Sequence, residues 1–343
     1  AMRCGGCGAK VGSTLLSRAL DRLEPVPRDD VLVGLHAPDD AAVAAVPPGQ
    51  VMVHTVDFFR AIVDDPYLFG KIAANHSLGD IFAMGAEPQT ALAIATLPYG
   101  LEAKVEDTLT QLLAGAMEVL AESGTALVGG HTGEGAELAL GFAINGLVER
   151  DRVLSKGGLE PGDRLILTKP IGTGTLFAAD MRHKANGPWI QAALASMLQS
   201  NQAAARCLHR YQATACTDVT GFGLLGHLVE MVKPAGVDVH LHLSAIPLLD
   251  GATETIALGI TSSLQPQNVR LRRAIRDLET VSHLPRYPLL FDPQTAGGLL
   301  AGVPADLAEQ CVTALRDSGY AQAAIIGEVR PQGDQLEPIA VTE

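Results

Sequence analysis

Between residues 50 and 149, short apolar runs rich in β-branched side chains alternate with longer stretches of helical periodicity. That alternation limits the chain to layered α/β or α+β architectures. "QVMVHTVDFF" (50–59) reads as a strand running into a functional loop. Residues 65–88, "DPYLFGKIAANHSLGDIFAMGAEP", read as a helix with Leu68, Ile72 and Phe82 on one face, stopped by Gly85 and Pro88. "TALAIATLP" (90–98) is a buried strand, and residues 103–124 form an amphipathic helix with Val105, Leu109, Leu112 and Leu120 inward. "ALVGGHTGE" and "ELALGFAINGLVE" close this half as two strands around a glycine-rich turn. The charged, Gly- and Pro-bearing stretch 150–163 is the expected domain boundary. Beyond it come a strand at 164–170, one long helix at 187–208, a strand at 237–243, a helix at 304–319 and a strand at 323–329. The expected organisation is a Gly-rich segment at 1–15, an N-terminal domain at 16–152 and a C-terminal α+β domain at 160–335, with no repeats.

A chain of 343 residues is long enough for two cores. Its formal charge of −13 argues against a nucleic-acid surface, which needs a basic patch to neutralise phosphates. An acidic chain still binds a polyphosphate if metal ions supply the positive charge. No apolar run reaches transmembrane length and no signal-peptide pattern leads the chain. Ala1 ahead of Met2 reads as a cloning remnant. Five scattered cysteines, an odd number, fit free thiols in a reducing cytoplasm better than a disulfide framework.

Several carboxylates sit in apolar or glycine-bearing surroundings: Asp39 and Asp40 before "AAVAAV", Asp57 at a strand end, Asp80 in an apolar helix and Asp218 in "CTDVTGFGLLGH". An ionised Asp there is costly unless hydrogen-bonded or bound to a cation. Dispersed Asp residues without a Cys/His cage suit Mg²⁺, a hard ion that takes a few carboxylates plus phosphate oxygens. Each is equally readable as a capping residue, and for Asp39 capping is the preferred reading of the residues alone. "GGHTGEG" (129–135) after a strand offers bare backbone N–H groups to a phosphate or is a plain hairpin turn. "IGTGTL" (171–176) lacks the third glycine and the acidic strand end of a dinucleotide loop, so NAD is not expected, and no Walker A sequence exists.

"RCGGCGAKVGS" (3–13) admits a metal knuckle, a phosphate-cradling loop or a mobile arm carrying a nucleophile. A structural zinc site needs four ligands and no second C-x-x-C appears. The ammonium of Lys10 favours the thiolate of Cys7, so these two are candidate catalytic residues. Cys207 and Cys311 fall in amphipathic helices as ordinary core thiols, and the His240/His242 pair reads as the polar face of a half-buried strand.

"CGAK" (7–10), "DDAAV" (39–43), residues 55–86, "GGHT" (129–132), "CTDVTGFGLLGHL" (216–228) and "DPQTAGGLL" (292–300) together resemble the selenophosphate synthetases (selenide, water dikinases). Some of these segments are similar to the wider superfamily of aminoimidazole ribonucleotide synthetase, thiamine monophosphate kinase and the hydrogenase maturation enzyme. The resemblance implies an α/β N-terminal domain that pairs with its twin into a shared β-barrel, an α+β C-terminal domain and a cytoplasmic homodimer. It implies ATP with Mg²⁺, and conversion of ATP, selenide and water to selenophosphate, AMP and phosphate. Position by position, Cys7 matches the active-site Cys or selenocysteine and Lys10 an essential lysine. Asp40, Asp80 and Asp218 match metal-binding aspartates, Asp57 a nucleotide-contacting one, and Gly130, His131 and Thr132 the phosphate-side turn. Lys10, Asp39 and Asp80 are added to the nucleotide-binding set. Several family members carry a second cysteine where this chain has Ala9, which leaves Cys4 as the nearby thiol. A thiamine monophosphate kinase-like activity and a thiol-based selenium or metal carrier are the two alternatives. The first has no need for Cys7, the second none for the aspartates.

Overall fold

The structure, a computed structural model, describes residues 13–24, 26–35 and 41–343. Cys4, Cys7, Lys10, Asp39 and Asp40 therefore lie outside the described residues. The chain divides into two compact units. One takes the described residues through Phe82 together with Ala86–Val153, the other Ala83–Gly85 together with Leu154–Glu343.

The first unit opens with α1 (Ser13–Leu20) and a short antiparallel pair, β1 (Val31–Val33) and β2 (Val43–Ala44). There follow β3 (Gln50–Arg60), α2 (Pro66–Ala83), β4 (Glu87–Pro98), α3 (Glu102–Glu122), β5 (Ala126–Gly135) and β6 (Ala139–Glu149). The sheet runs β3-β6-β4-β5, with β4 and β5 parallel and the other neighbours antiparallel. Sequential β5 and β6 are not neighbours, so the expected glycine turn does not exist as read. Residues 129–135 are strand, paired to β4 from Leu92–Gly129 to Pro98–Gly135. The hydrogen bonds of a parallel ladder override the turn preference of the glycines. At Gly130 the ladder is so close that a Cβ would stand 2.1 Å from the Ala93 carbonyl oxygen.

Asp65 starts α2: its Oδ1 accepts the Leu68 N–H at 3.1 Å, with Pro66 at the first helical position. The helix crosses α3 through glycines. A Cβ on Gly70 would lie 2.0 Å from the Leu112 carbonyl oxygen, and one on Gly115 2.0 Å from that of Tyr67. In α3, Val105, Leu109, Leu112 and Leu120 are all buried, as its periodicity predicts.

The second unit begins with β7 (Arg164–Leu167), α4 (Thr173–Asp180), α5 (Gly187–Leu198), α6 (Gln202–Arg210) and β8 (Ala215–Asp218). Next come α7 (Gly223–Ala235), β9 (Val237–His242) and three short helices, α8 (Ala252–Ala257), α9 (Gln265–Asn268) and α10 (Leu278–Val281). It ends with β10 (Leu299–Val303), α11 (Ala305–Asp317), β11 (Ala324–Pro331) and β12 (Ile339–Thr342). Its sheet is β12-β9-β11-β7-β10-β8, antiparallel except for β9–β12. Leu228, Leu241, Leu300 and Ile326, all fully or almost fully buried, form part of the core beneath α7.

The single helix expected over 187–208 is two, because other groups claim its carbonyls. Lys169 Nζ donates to Ser196 O at 3.2 Å and Gln199 O at 2.8 Å, and Tyr320 Oη donates to Ser200 O at 2.6 Å. Gln199 turns extended at ψ 118, and α6 restarts at Gln202. Cys207 and Cys311 are buried thiols on α6 and α11. His240 and His242 share one face of β9 and both reach Thr342 Oγ1 at 3.1 Å. Among the described residues no helix is long and apolar enough to cross a membrane.

Candidate active site

In the first unit the alternation of β3 sends Thr55, Asp57 and Phe59 toward α2. Thr55 Oγ1 donates to Asp80 Oδ2 at 2.5 Å, His76 Nε2 stands 3.8 Å from Asp57 Oδ2, and the Phe59 ring meets Phe69 edge-on at 5.6 Å. Asp80, one helical turn beyond His76, shares its face of α2. Burial first, and the negative charge of Asp80 second, push the Asp57 carboxyl up to about 6. Two carboxylates thus face one small volume at the β3–α2 contact. On the other side of β3, Gly141 of β6 lets the two strands pair closely, since a Cβ there would lie 1.9 Å from the Asp57 carbonyl oxygen.

Such a pair fits a nucleotide that arrives with a hard divalent cation, Asp80 facing the ion and Asp57 the nucleotide beside it. Mg²⁺ takes one or two carboxylates and fills the rest of its octahedron with phosphate oxygens and water. Among the described residues no three His, Cys, Asp or Glu side chains converge as a ready metal cage.

A cavity of about 740 Å³ lies along β4 and β5, with Val43, Leu92, Gly130, His131 and Thr132 among its lining. Leu35 and Ala41, which flank the segment bearing Asp39 and Asp40 in sequence, line it as well. Its polar groups include Thr90 and Asn145: Asn145 Nδ2 donates to Thr90 Oγ1 at 3.2 Å, and Asn145 Oδ1 accepts from His54 Nδ1 at 2.7 Å. The apolar area and few oriented polar groups suit a flat heteroaromatic ligand. Of the candidates read from sequence, Gly130, His131 and Thr132 line this cavity, while Asp57 and Asp80 meet at the β3–α2 contact.

In the second unit Asp218 ends β8, 5% exposed, opposite Leu299 of β10. Lys169, 1% exposed, has its ammonium on three carbonyls, those of Ser196, Gln199 and Ala296. Burial lowers the Lys169 amine to about 7, against the opposing pull of the Asp218 charge. Cys216, two residues before Asp218, is buried, and burial with the Asp218 charge pushes its thiol well up, which removes it as a nucleophile.

Thr55, His76 and Lys169 escaped the sequence reading. The His76/Asp80 spacing of four residues on one helix is the signal that would have found His76. Thr55 and Lys169 carry none, because their partners come from remote strands and carbonyls.

This arrangement belongs to a known class. Family models for AIR synthase related proteins match both halves, the N-terminal domain at residues 38–148 and the C-terminal domain at 160–336. The thiamine-monophosphate kinase of Stenotrophomonas maltophilia K279a shares the fold at TM-score 0.70 and 20% identity, over 95% of each chain. Hydrogenase maturation protein HypE in complex with ATP does so at TM-score 0.72 and 19% identity, over 99% of this chain and 92% of that one. Much nearer in sequence are the selenide, water dikinases of Clostridioides difficile (37% identical, 96% of this chain and 94% of that protein) and Pelobacter propionicus (40%, 94% and 92%). The chain belongs to the selenide, water dikinases of the AIR synthase related family.

Proposed function

We propose that this chain makes selenophosphate from ATP, selenide and water. The γ-phosphoryl passes to selenium as the β–γ P–O bond breaks, and water then takes the β-phosphoryl of the remaining ADP, leaving AMP and phosphate. The observation that carries the reading is the Asp57/Asp80 pair in a chain 37–40% identical to selenide, water dikinases along nearly its whole length. Phosphoryl transfer asks a protein for positioning and charge neutralisation more than for covalent chemistry.

Asp40, Asp80 and Asp218 would hold Mg²⁺, which neutralises the phosphate charge of the nucleotide. Asp57 and Asp39 would contact the nucleotide, and Gly130, His131 and Thr132 would line its phosphate side. Lys10 would bring a mobile positive charge to the transferring phosphoryl, and Cys7, on the glycine-rich segment 1–15, would handle selenide as a thiolate. In this reading the chain works in the reducing cytoplasm as a homodimer. The face of the first sheet away from α2 supports the dimer, exposing Val56 (60%) and Phe58 (48%) on the edge strand β3.

Strictly anaerobic assay of AMP formation tests the reading, since oxidation of a thiol would blur it. AMP release that requires selenide is expected, with Cys7→Ala abolishing it and leaving Mg²⁺-ATP binding nearly intact. Cys4→Ala should retain most of the turnover. Selenide-independent phosphorylation of thiamine monophosphate to the diphosphate, with ADP as the other product, would point to the kinase instead.

A further inference from the structure

The motif "DPQTAGG" (292–298) carries no role in the proposed chemistry, although its residues are among the most thoroughly bonded in the second unit. Gln294, 3% exposed, is the centre of the network. Its Oε1 accepts from the backbone N–H groups of Gly172 (2.9 Å) and Thr173 (3.1 Å) and from Thr173 Oγ1 (3.1 Å). Its Nε2 donates to the Asp292 carbonyl at 2.7 Å and to Asp292 Oδ2 at 3.0 Å. That same Oδ2 accepts the Gly174 N–H at 3.0 Å. The first N–H groups of α4, the ones that would bind an anion in a dinucleotide loop, are thereby occupied by the protein's own amide and carboxylate. The resemblance of "IGTGTL" to a phosphate loop has this structural end: the loop is closed from within.

The other side of the motif grips the turn that follows Asp218. The Gln294 N–H donates to Thr220 O at 2.9 Å, and the Val219 N–H donates to Gly298 O at 2.8 Å. Gly297 is pressed against this turn, where a Cβ would lie 2.0 Å from the Val219 carbonyl oxygen. Between them Ala296 takes φ 48, a left-handed conformation unfavourable to a non-glycine residue, and its carbonyl is held by Lys169 Nζ at 2.9 Å. A strained residue fixed by a buried ammonium marks a segment whose shape the surroundings enforce.

We propose that Gln294 is the positioning residue for Asp218, tying the start of α4 to the 219–221 turn so that the Asp218 carboxylate is held in its ligating position before a cation arrives. The proposal rests on the reading of Asp218 as a metal ligand. Without the Gln294 side chain the backbone bonds to the turn remain, from Gln294 N–H to Thr220 O and from Val219 N–H to Gly298 O. Segment 292–298 nevertheless loses that side chain's anchor to the start of α4 and holds the turn less firmly. The cost then falls on metal affinity, because the carboxylate must be ordered as the ion binds. The chemical step at saturating metal is spared.

Titration of Mg²⁺ at saturating ATP and selenide, with AMP followed, tests this in the wild-type chain, Gln294→Met and Asp218→Asn. Mn²⁺ binding to each chain with ATP, by electron paramagnetic resonance, is the parallel reading. Gln294→Met should raise the half-saturating Mg²⁺ concentration by about threefold, with Mn²⁺ affinity falling in step, less than the roughly tenfold typical of a direct hydrogen-bond partner of a metal ligand because Gln294 acts through the turn. The turnover number at saturating Mg²⁺ should stay within about twofold. A lowered turnover number with an unmoved Mg²⁺ midpoint would make the motif a scaffold only and overturn the proposal. If Gln294→Met fails to fold, Thr173→Val removes the hydroxyl that Gln294 Oε1 accepts from and should shift the midpoint the same way by a smaller factor. An unmoved midpoint in that variant counts against the proposal equally. Should Asp218→Asn leave the midpoint in place, the metal reading of Asp218 falls and this proposal with it. A shift in Asp218→Asn alone removes only the role of Gln294.

Discussion

Asp292 shows what one residue can cost. It is fully buried, and burial pushes its carboxyl from the usual 3.8 up to about 7, against the opposing hydrogen bonds from Gln294 and the start of α4. Its Oδ1 has no hydrogen-bond partner. The sign of the pH dependence follows from the raised value. Below pH 3.8 both folded and unfolded forms hold the proton; between 3.8 and about 7 the unfolded chain alone releases it, so stability falls as pH rises through this window. Asp292→Asn removes this titration while keeping an acceptor for Gly174 and Gln294. The variant should therefore gain on the wild type as pH rises from 5 to 8, by on the order of 2 kcal/mol. Thermal melts of both chains across that range check it, and a gap independent of pH would contradict it. The motif containing Asp292 is legible in the sequence. Its burial is not, because the helix that covers it starts more than a hundred residues earlier.

Among the elements, α2 and α3 show how a helix pair delivers a site. Mutual contact at Gly70 and Gly115 lets α2 lie close to α3 and so sets where His76 and Asp80 meet β3. Gly115→Ala adds a methyl group 2.0 Å from a backbone oxygen, which no rotamer change can relieve. The helices must separate, and the overpacking outweighs the gain in helix propensity, for a net loss of about 1–3 kcal/mol. Chemical denaturation should show it as a lowered midpoint, with ATP-dependent Mg²⁺ binding weakened in the fraction that folds. An unchanged midpoint would contradict the close backbone contact at Gly115. Periodicity in α3 revealed its buried face correctly because apolar burial is a property of the helix itself. The break between α5 and α6 was invisible for the opposite reason. Its causes are Lys169 and Tyr320, which reach the carbonyls of Ser196, Gln199 and Ser200 from other parts of the chain.

For the molecule as a whole, the exposed apolar face of the first sheet calls for a partner, and a second copy is the one proposed here. Phe58→Glu places a charge among the exposed apolar side chains of the edge strand β3, and should convert a dimeric mass in light scattering to a monomeric one at micromolar concentration. A monomeric wild-type chain, or a dimeric Phe58→Glu, would count against it. The sequence by itself determined the two-part α/β and α+β organisation, the strands and helices with strong periodicity, and the family, since these depend on local pattern and on motifs readable in order. It also singled out Asp57, Asp80 and Asp218, because a carboxylate among apolar residues is conspicuous wherever the chain goes. Only the tertiary structure decided that residues 129–135 are strand rather than turn, that Thr55 and His76 join Asp80 and Asp57, and that "DPQTAGG" closes the start of α4. Those outcomes depend on hydrogen bonds and close approaches between segments far apart in sequence, and no local preference encodes which distant carbonyl or N–H will be there to meet them.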